Sequence, residues 1–348
     1  MTGSPLPAAL TLRVRAAGGR WVVTGAAGFV GSHLVQTLLE LDQDVVAIDN
    51  FATGRRTNLD DVARVVGPAR FARLTFHEGD ITDAGECATV MEGATRVLHQ
   101  AALGSVPRSL RDPLATHHAN VNGTLQVFLA ARAAGVERIV YAASSSSYGD
   151  APGLPKVEDR VGRPLSPYAL TKRINELYAE VFARCYGFSV LGLRYFNVFG
   201  PRQDPDGPYA AVIPRWIAQL LSEKPCGING DGETSRDFTY IANVVAANLL
   251  AALAPEDAAG GEIYNVAAGE RTTLNALYGM LRDGLAARHH DRPGLRDALA
   301  TYGDERPGDV RHSLADISKA RARLGFEPLI TVKKGIDATL DWYDDALA

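Results

Sequence analysis

A chain of 348 residues with 46% apolar and 22% charged side chains and a net charge of −4 has the make-up of an ordinary globular enzyme, built as one large or two intimate domains. It carries no basic excess that would serve as a footprint for nucleic acid, and no apolar run reaches the ~20 residues of a membrane span. Cys87, Cys185 and Cys226 lie far apart with no CxxC pair, which suits a reducing cytosol, so a cytoplasmic location is expected.

Residues 1–19 read as a polar lead-in, because Arg13, Arg15 and Arg20 follow a weakly apolar segment, the reverse of a signal peptide's charge order. Arg20–Thr24 is a short β-branched run, followed by a glycine-rich turn and an amphipathic stretch through Leu41. Asp44–Asp49 is a second buried strand, and further apolar runs fall at 73–77, 96–101, 138–143 and 190–196. Helical patterns at 112–134 and 167–186 lie between several of them. This alternation predicts an α/β class and a Rossmann-type, doubly wound parallel sheet with right-handed crossovers. After about Phe199 prolines and glycines punctuate the chain, and a smaller C-terminal α/β cap over the strand ends is expected.

Thr24-Gly25-Ala-Ala-Gly28-Phe-Val-Gly31 follows the first strand and opens the first helix. Backbone without side chains is what a pyrophosphate needs at a helix N-terminus, where free N–H groups and the dipole favour negative charge. Asp49 ends the second strand, 18 residues past Gly31. An acid there accepts the adenine ribose hydroxyls and repels a 2′-phosphate, which favours NAD over NADP. Asp80 and Ile81, after the third strand, are placed to frame the adenine.

Tyr168 and Lys172 are four residues apart on one face of a helix that begins near Pro167. A free phenol near pKa 10 is ionised about once in 10³ at pH 7, a deficit of roughly 4 kcal/mol. A neighbouring ammonium and a positive nicotinamide both favour the phenolate. The pair suits removal of a hydroxyl proton while hydride leaves the same carbon. The spacing alone is a weak signal. Its context strengthens it, since Ser144 to Ser147 directly end a buried strand at the sheet's C-terminal edge.

Taken in order, GAAGFVGSHL, Asp49, GDITD, HQAALGSVPRS, SSSSYGD, SPYALTK, LRYFNVFGPRQ, GDGETSRDF and ERPGDVRHS resemble the extended short-chain dehydrogenase/reductase family. Across residues 20–345 the chain looks most like the UDP-sugar 4-epimerases, and among them the bacterial UDP-N-acetylglucosamine 4-epimerases of polysaccharide (for example O-antigen) biosynthesis. The resemblance implies reversible conversion of UDP-N-acetylglucosamine to UDP-N-acetylgalactosamine through a 4-keto sugar, with transient hydride transfer to bound NAD, and action on UDP-glucose and UDP-galactose as well. It divides the chain into a mainly NAD-binding part, 20–199, and a mainly UDP-sugar-binding part, 200–348, open to strand exchange between them.

By the same resemblance Tyr168 is the base, Lys172 orients and polarises it, and Ser144 bonds the reacting C4 oxygen. The implied NAD contacts are Gly25, Gly28, Phe29, Val30, Gly31, Asp49, Asn50, Asp80, Ile81, Gln100, Ala101, Ala102 and Tyr195, with Tyr168 and Lys172. Gly104, Ser105 and Ser145 should sit near the hexose, Asn197 near the diphosphate, and Ala211, Val212 and Asn229 near the uridine. Arg236 and Arg306 should pair with the diphosphate and Asp309 with the uridine ribose; planar guanidinium donors match phosphate oxygens on chemical grounds alone. Ser313 occupies a position where galactose-specific members carry Tyr, and leaves room for an acetamido group.

Relatives that dehydrate or decarboxylate sugars place an acid two or three residues before the Tyr of the Tyr148-Gly149 pair, where this chain has Ser146 and Ser145. That favours an epimerase. A UDP-uronate 4-epimerase or another NAD-dependent nucleotide-sugar oxidoreductase is the alternative, and a non-catalytic NAD-binding regulator is disfavoured by the intact Tyr168, Lys172 and Ser144 set. The resemblance also implies a homodimer, with the faces of 112–134 and 167–186 pairing as a four-helix bundle. No metal is expected, since His117-His118 and His289-His290 lack the i, i+4 spacing of helical ligands. Asp204 and Asp206, among Pro205 and Gly207, read as turn formers.

Overall fold

The computed structural model describes residues 6–206, 210–305 and 310–347. Seven strands form the main sheet: β1 Arg20–Thr24, β2 Asp44–Asp49, β3 Leu74–Glu78, β4 Ala94–His99, β5 Arg138–Ser144, β6 Val190–Tyr195 and β7 Ile263–Val266. Their order is β7-β6-β5-β4-β1-β2-β3 and every pairing is parallel. Both faces are covered, which is why these strands are nearly continuous apolar runs rather than alternating ones. Successive residues divide between two cores. Trp21, Val23, Val45 and Ala47 pack with the helices Phe29–Glu40 and Ile241–Ala252. Val22, Val46 and Ile48 pack with Ala84–Met91, Gly123–Ala133 and Pro167–Tyr186.

The strand order reverses between β1 and β4, so a crevice opens at their C-terminal ends, where open α/β sheets bind ligands. A third core, built from Trp216, Ile217, Leu281, Leu285, Leu340 and Tyr343, joins the helices Val212–Leu221, Leu274–Arg288 and Val332–Leu347 beyond the sheet. Asp204 does form a turn, its Oδ1 accepting from the Asp206 N–H at 2.9 Å.

Two features depart from the sequence expectations. The stretch taken for a polar lead-in contains the helix Ala8–Ala16, with Leu10 and Val14 buried in the core together with Leu6. Leu6, Leu10 and Val14 recur every four residues, an apolar stripe that the interleaved arginines disguise. The helix expected over 112–134 is interrupted: Pro113–His117 passes through a π-helical turn, His118–Asn122, before Gly123–Ala133. As the resemblance left open, a strand from the C-terminal part, β7, completes the main sheet beside β6.

Candidate active site

The glycine-rich turn leaves β1 with Gly25 at φ +67°, and a Cβ there would lie 2.7 Å from the Ala101 nitrogen. A Cβ on Gly31 would lie 2.0 Å from the Gly25 carbonyl oxygen. Only bare backbone closes this cradle. Gly28 caps the helix Phe29–Glu40 with no side-chain hydrogen bond, so its N-terminus presents N–H groups to the crevice. Asp49 is 7% exposed; its Oδ2 accepts from the Ala27 N–H at 2.9 Å and its Oδ1 from the Phe51 N–H at 2.8 Å. Burial raises its pKa, and the backbone donors Phe51, Ala27 and Gly28 oppose the rise. Asn50 donates to Asp80 at 2.7 Å, tying the second strand's end to the third's.

A cavity of about 450 Å³ runs from this cradle to the ends of β5 and β6. Every residue assigned to the cofactor from the sequence lines it, together with Gly104 and Ser144. The donor set fits a dinucleotide: a side-chain-free helix N-terminus for the pyrophosphate, and a buried acid one strand away for a ribose.

At the other end, β5 delivers Ser144 directly opposite Tyr195 of β6. Ser144 Oγ accepts from Ser146 Oγ at 2.8 Å, and Ser144 lines the cavity together with Tyr168. The helix carrying Tyr168 and Lys172 starts where its sequence says it should, with Ser166 Oγ accepting from the Ala169 N–H at 3.1 Å and Pro167 in the first turn. Burial raises the Tyr168 pKa, and the Ser144 hydroxyl pulls it back down. Lys172 Nζ donates to the Ala142 carbonyl at 2.9 Å and lies 6.0 Å from the centre of the Tyr168 ring. Burial lowers the Lys172 pKa to about 8, with Glu176 one turn along opposing the drop. The ammonium therefore remains largely charged at pH 7.

Four supports of this site carry no obvious sequence signal. Glu176 and Arg194 form a two-pronged ion pair, Nε to Oε1 and Nη2 to Oε2 both at 2.8 Å, with each side chain 1% exposed. The pair fixes the Tyr168 helix to β6 one residue before Tyr195. Asn120, in the π-helical turn, accepts from the Leu103 N–H at 2.7 Å and donates to the Leu103 carbonyl at 3.1 Å and to Thr171 Oγ1 at 3.0 Å. Single-turn π-bulges gather at functional sites. Asn248, from the C-terminal half, meets the Tyr195 hydroxyl at 2.8 Å and Gln100 at 3.1 Å on the cavity floor. Last, a buried chain crosses the sheet edge: Thr24 Oγ1 to His99 Nδ1 at 2.7 Å, His99 Nε2 to Thr124 Oγ1 at 3.0 Å, and Asn175 to Thr124 at 3.1 Å.

The remaining sugar-nucleotide candidates do not line the cofactor cavity. Ser105 takes φ +92° and caps the helix Val106–Arg111, and Ser145 opens a 3₁₀ turn. Asn197 (φ +29°) accepts from the Thr239 N–H at 3.1 Å. Ala211 and Val212 begin the helix Val212–Leu221, and Asn229 ends the short strand Gly227–Asn229. Arg236 Nη1 donates to the carbonyls of Ser235 at 3.0 Å and Arg311 at 3.2 Å, and the Ser313 N–H donates to the Ser235 carbonyl at 3.0 Å. Arg236 and Ser313 thus sit on paired segments. Arg306 and Asp309 lie outside the described residues.

His99 gives this architecture a pH signature. It is 3% exposed, and burial, with Lys172 nearby, lowers its pKa from 6.5 to about 3. Below pH 6.5 the unfolded chain takes up a proton that the folded one refuses until about pH 3, so stability falls with acidification. The expected contribution is about 1.4 kcal/mol per pH unit. Urea unfolding of His99→Gln between about pH 6 and pH 4.5 should show a slope shallower by that amount.

Known proteins agree with this geometry. The family described as NAD-dependent epimerase/dehydratase matches residues 21–267. A putative UDP-glucose 4-epimerase of Methanocaldococcus jannaschii is 34% identical over 92% of this chain and 97% of its own length. A UDP-glucuronate 4-epimerase of Thermodesulfobacterium geofontis is 34% identical over 93% of this chain and 96% of its own. The solved structure of UDP-N-acetylglucosamine 4-epimerase from Methanobrevibacter ruminantium, in complex with UDP-N-acetylmuramic acid, superposes with a TM-score of 0.85 at 37% identity, covering 94% of this chain and 99% of that one. With a matching sheet, a dinucleotide cradle and a Tyr-Lys-Ser centre at its far end, the chain belongs to the NAD-dependent epimerase/dehydratase family of extended short-chain dehydrogenase/reductases, and its cofactor is NAD.

Proposed function

We propose that the chain inverts C4 of UDP-sugars, with UDP-N-acetylglucosamine and UDP-N-acetylgalactosamine as the preferred pair and UDP-glucose and UDP-galactose also accepted. The observation that carries this reading is that Tyr168, Lys172 and Ser144 line the far end of the cofactor cavity together, with serines rather than a carboxylate at 145 and 146. Bound NAD supplies the two-electron acceptor and donor for the cycle. Tyr168 holds and returns the proton of the 4-hydroxyl, and Ser144, already within reach of the Tyr168 oxygen, fixes the C4 oxygen beside it. Lys172 keeps the phenol's ionised form accessible. With no acid at 145 or 146, nothing there protonates a leaving hydroxyl, so the 4-keto sugar persists long enough to turn about its diphosphate and be reduced on its other face. Arg236, pinned by two backbone carbonyls, supports a diphosphate anchor that stays fixed during that turn.

The N-acetyl preference rests on Ser313. Its small, half-buried side chain lies on the segment paired with Ser235, next to Arg236, and takes up far less volume than a tyrosine ring would. Similarity to the Methanobrevibacter enzyme supports the same preference, and similarity to the Thermodesulfobacterium enzyme makes UDP-glucuronate the competing substrate.

We also propose a homodimer. Leu170, Leu177 and Val181 are 49%, 45% and 38% exposed on one face of the helix Pro167–Tyr186, and Leu114 and Leu129 add 78% and 41% on the neighbouring helical run. Two such helices from each of two copies make a four-helix bundle. Sedimentation should give a dimer, and Leu170→Glu with Leu177→Glu should give a folded monomer.

Two substitutions test the chemistry. Tyr168→Phe should lower kcat by about 10²- to 10⁴-fold with the fold intact; inversion at an undiminished rate would sink the mechanism. Ser313→Tyr should abolish turnover of UDP-N-acetylglucosamine while sparing UDP-glucose in a coupled assay run with both sugars and their uronate forms. Faster turnover of the uronates by the unaltered enzyme would move the assignment to a uronate epimerase.

A further inference from the structure

Away from the cofactor crevice, a second cavity of about 810 Å³ lies among the N-terminal helix Ala8–Ala16, the helices Phe29–Glu40 and Arg56–Val66, and the turn at Pro201-Arg202. Four guanidinium groups reach it, from Arg15, Arg64, Arg70 and Arg202, against two carboxylates, Asp61 and Glu40. Those carboxylates do not neutralise the set. Asp61 is shared between Arg64 at 2.6 Å and Arg202 at 2.7 Å, and Glu40 is bonded to Gln36 at 2.8 Å. Asp42, just beyond the lining, is shared between Arg70 at 3.0 Å and Arg15 at 3.9 Å. His33 adds no charge, because burial holds its pKa down at about 3, and its Nε2 meets the Pro201 carbonyl at 3.0 Å.

Arg202 is the unusual member. Its side chain is 3% exposed, its backbone is left-handed at φ +63°, and its Nη2 is bonded to Gln36. Among the described residues its Nη1 has no hydrogen-bond partner. A buried guanidinium N–H without an acceptor, held in strained backbone, is a cost that a ligand oxygen would remove. Guanidinium groups in excess over carboxylates, some buried and some at the rim, are the donor set that recognises phosphate oxygens in forked geometry. The volume admits a ligand up to nucleotide size.

We propose that this cavity is a second, non-catalytic anion site that binds a phosphate-bearing small molecule, with Arg202 at its base and Arg15 and Arg64 at its rim. The site is wired to the crevice by adjacency: Gln203, the next residue, lines the cofactor cavity and donates to the Val198 carbonyl at 3.1 Å. The helix Phe29–Glu40 also borders both spaces, with Phe29 to Gly31 at the cofactor and Gln36 at the arginines.

The probe is inorganic pyrophosphate, titrated calorimetrically into the NAD-loaded protein in the presence of saturating UDP, so that the catalytic cleft is filled. One saturable site is expected. Arg15→Glu with Arg64→Glu, both at side chains half or more exposed, should weaken it at least tenfold, whereas Arg236→Ala should leave it within about twofold. If the double variant does not fold, Arg15→Gln alone should still weaken binding about threefold. No saturable binding by the unaltered protein, unchanged affinity in the rim variants, or loss with Arg236→Ala (which would put the anion in the catalytic cleft) each overturns the proposal. The outcome is independent of which sugar the enzyme inverts.

Discussion

Glu176 and Arg194 are each buried to the last per cent, and neither charge would be tolerated there alone. Removing one partner of such a pair costs about 3–5 kcal/mol, because the other is left as an uncompensated charge in a medium that cannot solvate it. Two parallel hydrogen bonds also demand one orientation, so the helix Pro167–Tyr186 has a single register against β6. From that register follows the rest of the centre. Lys172 is set one turn before Glu176 and meets the Ala142 carbonyl on β5, while Tyr168, a turn earlier, reaches Ser144 at the same strand's end. Arg173 and the Glu158 carbonyl saturate the remaining valences of the pair, and the Tyr148 ring lies 4.6 Å from the Arg194 guanidinium.

The same burial that fixes the geometry sets the electrostatics, and it acts in opposite senses on the two reacting groups. It raises the Tyr168 phenol and lowers the Lys172 ammonium, so two groups with nearly equal ordinary proton affinities are driven apart. Glu176 limits the fall at Lys172 and Ser144 limits the rise at Tyr168. Asn120 and the Thr24–His99–Thr124–Asn175 chain perform the complementary mechanical task, joining the glycine cradle to the helix Pro167–Tyr186 through hydrogen bonds inside the core.

The readily legible parts were those in which the signal is local. The apolar runs of β1 and β2, the glycine spacing at 25, 28 and 31, Asp49 at a strand end, and the Ser166-Pro167 start of the catalytic helix all depend on residues within one or two turns of each other. The Leu6, Leu10, Val14 stripe was just as local, but Arg13 and Arg15 masked its period. Asn248, Asn120 and the Glu176–Arg194 pair were not legible, because an Asn on a helix or a charge in a strand acquires meaning only from a partner 17 to 148 positions away.

By itself the sequence determined the α/β class, the NAD cradle and the placing of Tyr168 and Lys172 on one helix face, since each is written in short-range spacing that the backbone must obey. Tertiary structure alone decided that a strand from the C-terminal part completes the sheet, that a π-helical turn breaks the predicted helix to hold the Leu103 loop, and that four arginines gather around a second cavity. The physical reason is the same in each case. Sheet order, helix register and the sharing of buried charge are settled by burial and polar satisfaction summed over the whole fold, and no window of the chain contains that sum.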